Sequence, residues 1–80
     1  MSTPLAQTYL YVGDKAFFVS TIDRQSSAAL AYGATYAETM AWEWNPTTKE
    51  RGRIVTQDEA SSGSLCGHIR VMEAITKGEL

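Results

Sequence analysis

Two runs of aromatic and β-branched residues stand near the start of the chain, at residues 8–12 (TYLYV) and 15–22 (KAFFVSTI). Gly13 and Asp14 separate them, and a two-residue connection with glycine first is typical of a type II′ hairpin turn. The pattern therefore predicts a first strand, a tight turn and a second strand. Because side chains alternate along a strand, Tyr9 and Tyr11 are expected to share one face of the first strand.

The most regular alternation lies in residues 36–44 (YAETMAWEW) and predicts a third strand with one face of large residues and one of small residues. The large face holds Tyr36, Glu38, Met40, Trp42 and Trp44, and the small face holds Ala37, Thr39, Ala41 and Glu43. Asn45 and Pro46 begin a turn, and Gly52 stands at its far side. Residues 53–60 (RIVTQDEA) are expected to return as a fourth strand.

The period changes after Ser61, where apolar residues recur every three or four positions, as in a helix that packs one side against a core. Ser61 or Ser62 can cap the start of this helix, and Gly78 is a natural residue to follow its end. The stripe expected to face the sheet consists of Leu65, Ile69, Met72 and Ile75 or Thr76.

Residues 23–35 (DRQSSAALAYGAT) interrupt the strand pattern, and we expect a loop with some helical character there. This connection is longer than the usual length of about 4 to 6 residues, and such loops often carry function. The loop residues best suited to contact a partner are Asp23, Arg24, Ser26, Ser27 and Tyr32.

Together these elements predict an α+β fold with the element order β1-β2-loop-β3-β4-α. Two hairpins form a four-stranded antiparallel sheet, and one C-terminal helix packs on a face of it. Residues 1–80 are expected to form a single domain, with residues 1–7 as a flexible N-terminal segment. A domain of this size buries only about 60 to 65 % of the surface of its unfolded chain, so a second copy or a partner would add stability.

Composition narrows the class of protein. Hydrophobic residues make up 44 % and charged residues 20 % of the chain, which is typical of a globular domain. The net charge of -2 provides no general attraction to nucleic acid or anionic lipid, and no apolar run is long enough to span a membrane. With one cysteine and no leader pattern, we expect a soluble protein in a reducing, cytoplasmic compartment.

The pattern gives little support for catalysis or metal binding. Cys66 and His68 are two residues apart, so on a helix they point about 200° away from each other and do not form a nucleophile and base pair. One cysteine and one histidine are too few for a zinc site without further ligands. Glu38 and Glu43 are five apart on one strand and face opposite sides of the sheet. We therefore expect no enzyme activity, no metal and no cofactor.

Trp42 and Trp44 lie on one strand face and offer more apolar surface than one short helix covers. One interpretation makes both tryptophans core residues. The other makes Trp44, nearer the strand end, an anchor for a partner or a second subunit, with Tyr9 and Tyr11 extending the same patch. The candidate interaction residues are Trp44, Trp42, Tyr9, Tyr11, Arg24 and Tyr32.

Three stretches, "FFVSTIDRQSS", "YAETMAWEWNPTTKERG" and "CGHIRVMEA", give the chain a resemblance over most of residues 17–75 to small proteins encoded by bacteriophages and prophages. That family has a Y-x-E-T-M-x-W/F strand and a C-terminal helix with a Gly-His pair, and no known activity. The chain departs from it where residues 61–64 are Ser, Ser, Gly and Ser in place of acidic residues. The resemblance implies a genomic setting and no catalytic mechanism.

These observations favour a non-enzymatic phage or prophage accessory protein that acts by protein–protein binding. An inhibitor of a host defence protein is one such role, and the chain could bind as a homodimer. One alternative is a protein that sequesters a small ligand or nucleotide between the 23–35 loop and the sheet or across a dimer. The other is a structural or decoration protein of the virion.

Overall fold

A computed structural model describes residues 3–25 and 35–80, and it confirms the α+β fold. Four antiparallel strands form one open sheet in the order β1-β2-β3-β4, and a single helix follows them. The elements are β1 (Thr3–Val12), β2 (Lys15–Gln25), β3 (Thr35–Asn45), β4 (Glu50–Ser61) and α1 (Cys66–Thr76).

The predicted first turn is confirmed. Val12 pairs with Lys15 across a two-residue connection, and Gly13 adopts the left-handed φ of +63° that this turn needs. The hairpin is longer than its apolar pattern indicated, because β1 begins at Thr3 and β2 continues to Gln25. Strand pairing thus carries through polar residues whose own strand preference is weak. Residues 23–25 of the predicted loop therefore belong to β2 and Thr35 begins β3. Residues 26–34, with Ser26, Ser27 and Tyr32, lie outside the described residues.

The second hairpin turn is built by Asn45. Its side-chain Oδ1 accepts hydrogen bonds from the backbone N–H groups of Thr47 and Thr48 at 2.9 and 3.2 Å, and its backbone oxygen accepts one from Lys49 at 2.7 Å. Lys49 closes the turn with a φ of 60°, a left-handed conformation that favours glycine. The turn therefore holds Lys49 at some cost in backbone energy.

Substitutions of Lys49 test whether its backbone conformation costs stability. We expect Lys49→Gly to raise the free energy of unfolding by about 0.5 to 1 kcal/mol, because relief of left-handed strain outweighs the extra backbone entropy of glycine. Lys49→Ala removes the same charge but keeps the strain, so its stability should match the parent chain. Urea denaturation of the three proteins measures the difference. A glycine variant less stable than the alanine variant would contradict the left-handed conformation.

The helix packs on the small-residue face of the sheet. Val19 and Ala41 of the sheet meet Val71 and Ile75 of the helix in a buried cluster. The side chains packed around this cluster are Leu10, Val12, Phe17, Val55 and Met72. Small residues on β3 let the helix approach closely, which bulky side chains on the other face would prevent.

The predicted sheet-facing stripe is wrong for its first half. Leu65 and Ile69 are exposed, whereas Gly67 and His68 are buried with Val71 and Ile75. A Cβ atom built on Gly67 would lie 3.0 Å from Thr39 Oγ1, so the helix touches the sheet at this glycine. The prediction of the stripe was based on apolar side chains alone. It therefore did not include a contact made through a glycine, which has no side chain.

The start of the helix differs from the prediction, whereas its end agrees with it. Ser61 belongs to β4 and the Ser62 hydroxyl accepts a hydrogen bond from Thr35, so neither caps the helix. The helix begins after Leu65, whose side chain makes no cap, and the Ser64 hydroxyl accepts a hydrogen bond from the Cys66 backbone N–H at 3.2 Å. At the other end Gly78 has a φ of +74°, and the paired bonds Gly78 N–H to Ile75 O and Glu79 N–H to Ala74 O confirm a glycine-terminated end.

Candidate functional site

His68, the only histidine, lies on the sheet-facing side of α1 and is 5 % exposed. Its Nε2 is 2.9 Å from Thr8 Oγ1, and its Nδ1 is 2.8 Å from Thr21 Oγ1. Thr21 Oγ1 is also 2.6 Å from Thr39 Oγ1, so three strands contribute hydroxyls to one hydrogen-bonded chain. A neutral ring satisfies both contacts, since one ring nitrogen donates and the other accepts. The ring holds the helix on the sheet.

Burial lowers the pKa of His68 below its ordinary value of 6.5, because the buried site disfavours the charged ring. The unfolded chain therefore takes up a proton near pH 6.5 while the folded chain does not. The contribution of neutral His68 to the free energy of unfolding should be fully present above about pH 6.5. It should decrease as the pH is lowered from there through the pKa of the folded state. Urea midpoints between pH 7.5 and 5.5 test this, with His68→Gln as the non-titrating control. An equal pH slope in both proteins would contradict the assignment.

Cys66 and His68 are not a reactive pair. Cys66 is exposed, whereas His68 is buried and bonded to threonines. Within residues 3–25 and 35–80, no three histidine, cysteine, aspartate or glutamate side chains gather closely enough to hold a metal ion. His68 therefore contributes to the contact between the helix and the sheet.

The sheet face opposite the helix, called the open face below, carries an aromatic cluster. Its rings come from three neighbouring strands: Tyr9, Tyr11, Phe18, Trp42 and Trp44. Phe18 is central, with ring centroids 5.0 Å from Tyr9, 5.7 Å from Trp42 and 5.8 Å from Trp44. Tyr9 and Trp44 are 5.0 Å apart. These spacings are in the range where aromatic pairs attract each other.

The cluster is solvent-exposed at its edges. Tyr9 is 52 % and Tyr11 is 62 % exposed, and the two tryptophans are half-buried, while Phe18 is 8 % exposed because the other rings surround it. In the part of the chain that the structure describes, no element packs on this face. The tryptophans are thus neither core residues beneath the helix nor fully exposed anchors.

Two cationic side chains border the cluster. The Arg51 guanidinium lies 4.8 Å from the centroid of the Trp42 ring, a cation–π distance. Lys49, held by the second turn, lines a shallow depression of about 310 Å³ together with Tyr9, Tyr11, Trp44 and Pro46. The cluster end of the open face is therefore aromatic and locally cationic.

The other predicted site residues lie elsewhere. Arg24 is at the far end of the open face, where its guanidinium donates to the Glu38 carboxylate at 2.8 Å. Glu38 itself is buried, at 6 % exposure, whereas Glu43 is exposed and 3.7 Å from Arg53. The two glutamates thus have separate partners, and Arg24 stabilises the sheet end without contacting the aromatic cluster. The interaction residues therefore fall into one group of four, with Arg24 apart.

Three residues of this surface, Phe18, Arg51 and Lys49, were not predicted as part of it from the sequence. The position of Phe18 could have been predicted. Counting back from the first turn pairs Tyr9 with Phe18, which puts the phenylalanine on the tyrosine face. Arg51 could not be placed in this way, because the register of β4 shifts twice opposite Trp42 and Trp44. Lys49 depends on the left-handed turn, which the sequence does not indicate.

Comparison of the chain with protein-family models, with curated proteins and with solved structures found no match. In the portion that the structure describes, α1 falls short of the length and apolar character that a membrane-spanning helix needs.

Proposed function

We propose that this chain is a non-enzymatic binding protein and that it acts by binding a protein partner through the aromatic cluster of its open face. The observation that carries the proposal is a group of five partly exposed aromatic rings, four of them in contact with one another, on a sheet face that no described element covers. Tryptophan, tyrosine and arginine are the residues that contribute most to protein interfaces, and all three meet here.

The physical form of the cluster favours a protein partner. Phe18 and the tryptophans fix one another by ring contacts, so little side-chain entropy remains to be lost on binding. The tyrosines supply apolar rings with hydroxyls at the rim, which suits a surface that alternates between water and a partner. On the resemblance to phage-encoded proteins, a protein of the host cell and a second copy of the chain are the two partner classes we propose.

A binding experiment tests the proposal. The tagged protein is used to capture an untagged copy and host proteins, and the captured chains are quantified by mass spectrometry. We expect Trp44→Ala to reduce capture at least about tenfold, since truncation of an interface tryptophan commonly costs more than 1.4 kcal/mol. Ile69→Ala is the matched control, because it removes an exposed apolar side chain from the opposite side of the protein. Equal capture by the parent chain and Trp44→Ala contradicts the proposal.

The depression beside Trp44 favours a second candidate, the binding of a small aromatic ligand such as a nucleotide. Tyr11 and Trp44 offer rings for stacking, and Lys49 offers a positive charge for a phosphate. A nucleotide that binds there must raise the melting temperature in a concentration-dependent way and quench tryptophan fluorescence. Lys49→Ala should weaken both effects if this candidate is correct.

A further inference from the structure

The open face has two chemically different ends. The aromatic end carries Arg51 on β4 and Lys49 in the adjoining turn. At the opposite end Glu38 and Glu59 are paired directly across β3 and β4, so both carboxylates lie on the open face. Arg24 bonds Glu38, whereas Glu59 adds a second negative charge beside it. The face is therefore cationic at one end and acidic at the other.

The size of this face is adequate for a dimer. Four strands spaced about 4.8 Å apart give a width of about 19 Å, and strands of at least ten residues at about 3.4 Å per residue give a length of about 34 Å. The outline is about 650 Å² per copy, against the roughly 600 to 1,000 Å² that each partner buries in a standard interface. Two such faces can pack like the sheets of a β-sandwich, with strands aligned within about 30°.

We propose that the open face binds the same face of a second copy, about a twofold axis that runs across the strands. This inference rests on the proposed function and names the partner of the same site. The axis places the aromatic, cationic end of each copy over the acidic end of the other, so that Arg51 faces the region of the partner's Glu59. The other face-to-face twofold runs along the strands and places the two cationic ends together, which charge repulsion disfavours.

The arrangement also accounts for the exposed rings. Tyr9 and Tyr11 are largely exposed in the single chain and become covered when the faces meet. Both helices lie on the outside, so the dimer has the layer order helix, sheet, sheet, helix. The apolar residues on the outer face of the helix, Leu65 and Ile69, remain in solvent.

Sedimentation equilibrium of the full chain tests this inference with paired charge reversals. We expect the parent chain to dimerise, and Arg51→Glu and Glu59→Arg each to weaken the dimer at least about tenfold, because each change creates two repulsive contacts. An equimolar mixture of the two variants should associate nearly as tightly as the parent chain, because every such contact in the mixed dimer again joins opposite charges. Recovery in the mixture also shows that both variants are folded.

Two further variants test whether the dimer forms through the open face or through the outer surface of the helix. Tyr11→Ala should weaken the dimer, and Ile69→Ala should not. A dimer lost in Ile69→Ala and retained in Tyr11→Ala overturns the inference in favour of the helix face, and a dimer strengthened by Arg51→Glu overturns the choice of axis. A chain that stays monomeric at all concentrations also overturns it. In that case Trp44-dependent capture of a host protein still supports the proposed function, so the two failures are distinguishable.

Discussion

A Gly67→Leu variant is expected to lose about 3 kcal/mol of its free energy of unfolding, which is a large share of the stability of a domain this small. Even a Cβ atom at this position would lie 3.0 Å from Thr39 Oγ1 and 3.7 Å from Asp58 Cβ. A larger side chain must lift the helix from the sheet. That movement would also separate His68 from Thr8 and Thr21.

Equilibrium unfolding in urea measures the effect, with Cys66→Leu as the matched control. The control adds a similar side chain one position earlier on the same helix turn, but Cys66 is exposed and has room for it. We expect the control to change stability by less than about 0.5 kcal/mol. Similar losses in both variants would show that leucine disturbs the start of the helix and that the close approach at Gly67 is not the cause.

Phe18→Ala is expected to lower the free energy of unfolding by about 3 to 4 kcal/mol. Phe18 is 8 % exposed and its ring contacts three other rings, so truncation leaves a cavity at the centre of the aromatic cluster. Trp42 and Trp44 lose a neighbour, and their fluorescence should shift to longer wavelength as water reaches them.

The control for this prediction is Tyr11→Ala, measured at a low protein concentration to limit association. Tyr11 is on the same face but is 62 % exposed, so its removal should cost less than about 1 kcal/mol. Equal stability changes for the two variants would mean that the cluster has no buried centre, which contradicts the ring contacts of Phe18.

The strands and the first turn could be predicted from the sequence because each signal there is local. Gly13 determines the turn, and the period of two in residues 36–44 separates a large-residue face from a small-residue face. The strand ends could not be predicted in the same way. Residues 3–7 of β1 lie opposite residues 20–23 of β2, and residues 23–25 pair with β3, so both extensions depend on the neighbouring strand.

The buried side of the helix could not be predicted from its apolar residues alone. Counting apolar residues selected Leu65 and Ile69, yet the buried side is defined by Gly67, His68 and Val71. Neither a glycine contact nor a histidine ring that bonds threonines on two strands produces a hydrophobic pattern in the sequence. Such contacts depend on which sheet face the helix covers, and the hydroxyls of Thr8, Thr21 and Thr39 come together only in the assembled sheet.

The open face was predictable in part. The four aromatic candidates Tyr9, Tyr11, Trp42 and Trp44 do lie together on one surface. Arg24 was grouped with them because it belonged to a predicted loop, but it extends β2 and bonds Glu38 at the other end of the face. Their role in binding stays a prediction that solution experiments must test.

Hydroxyl-radical footprinting tests the central claim most directly, because it reports the solvent exposure of individual side chains of the folded protein in solution. The oxidation rates of Tyr9, Tyr11 and Trp44 should fall as the protein concentration rises or as a captured partner is added. Those of Leu65 and Ile69 should stay constant. Protection of the helix residues with unchanged oxidation of the aromatic cluster would contradict the assignment of the open face as the binding surface.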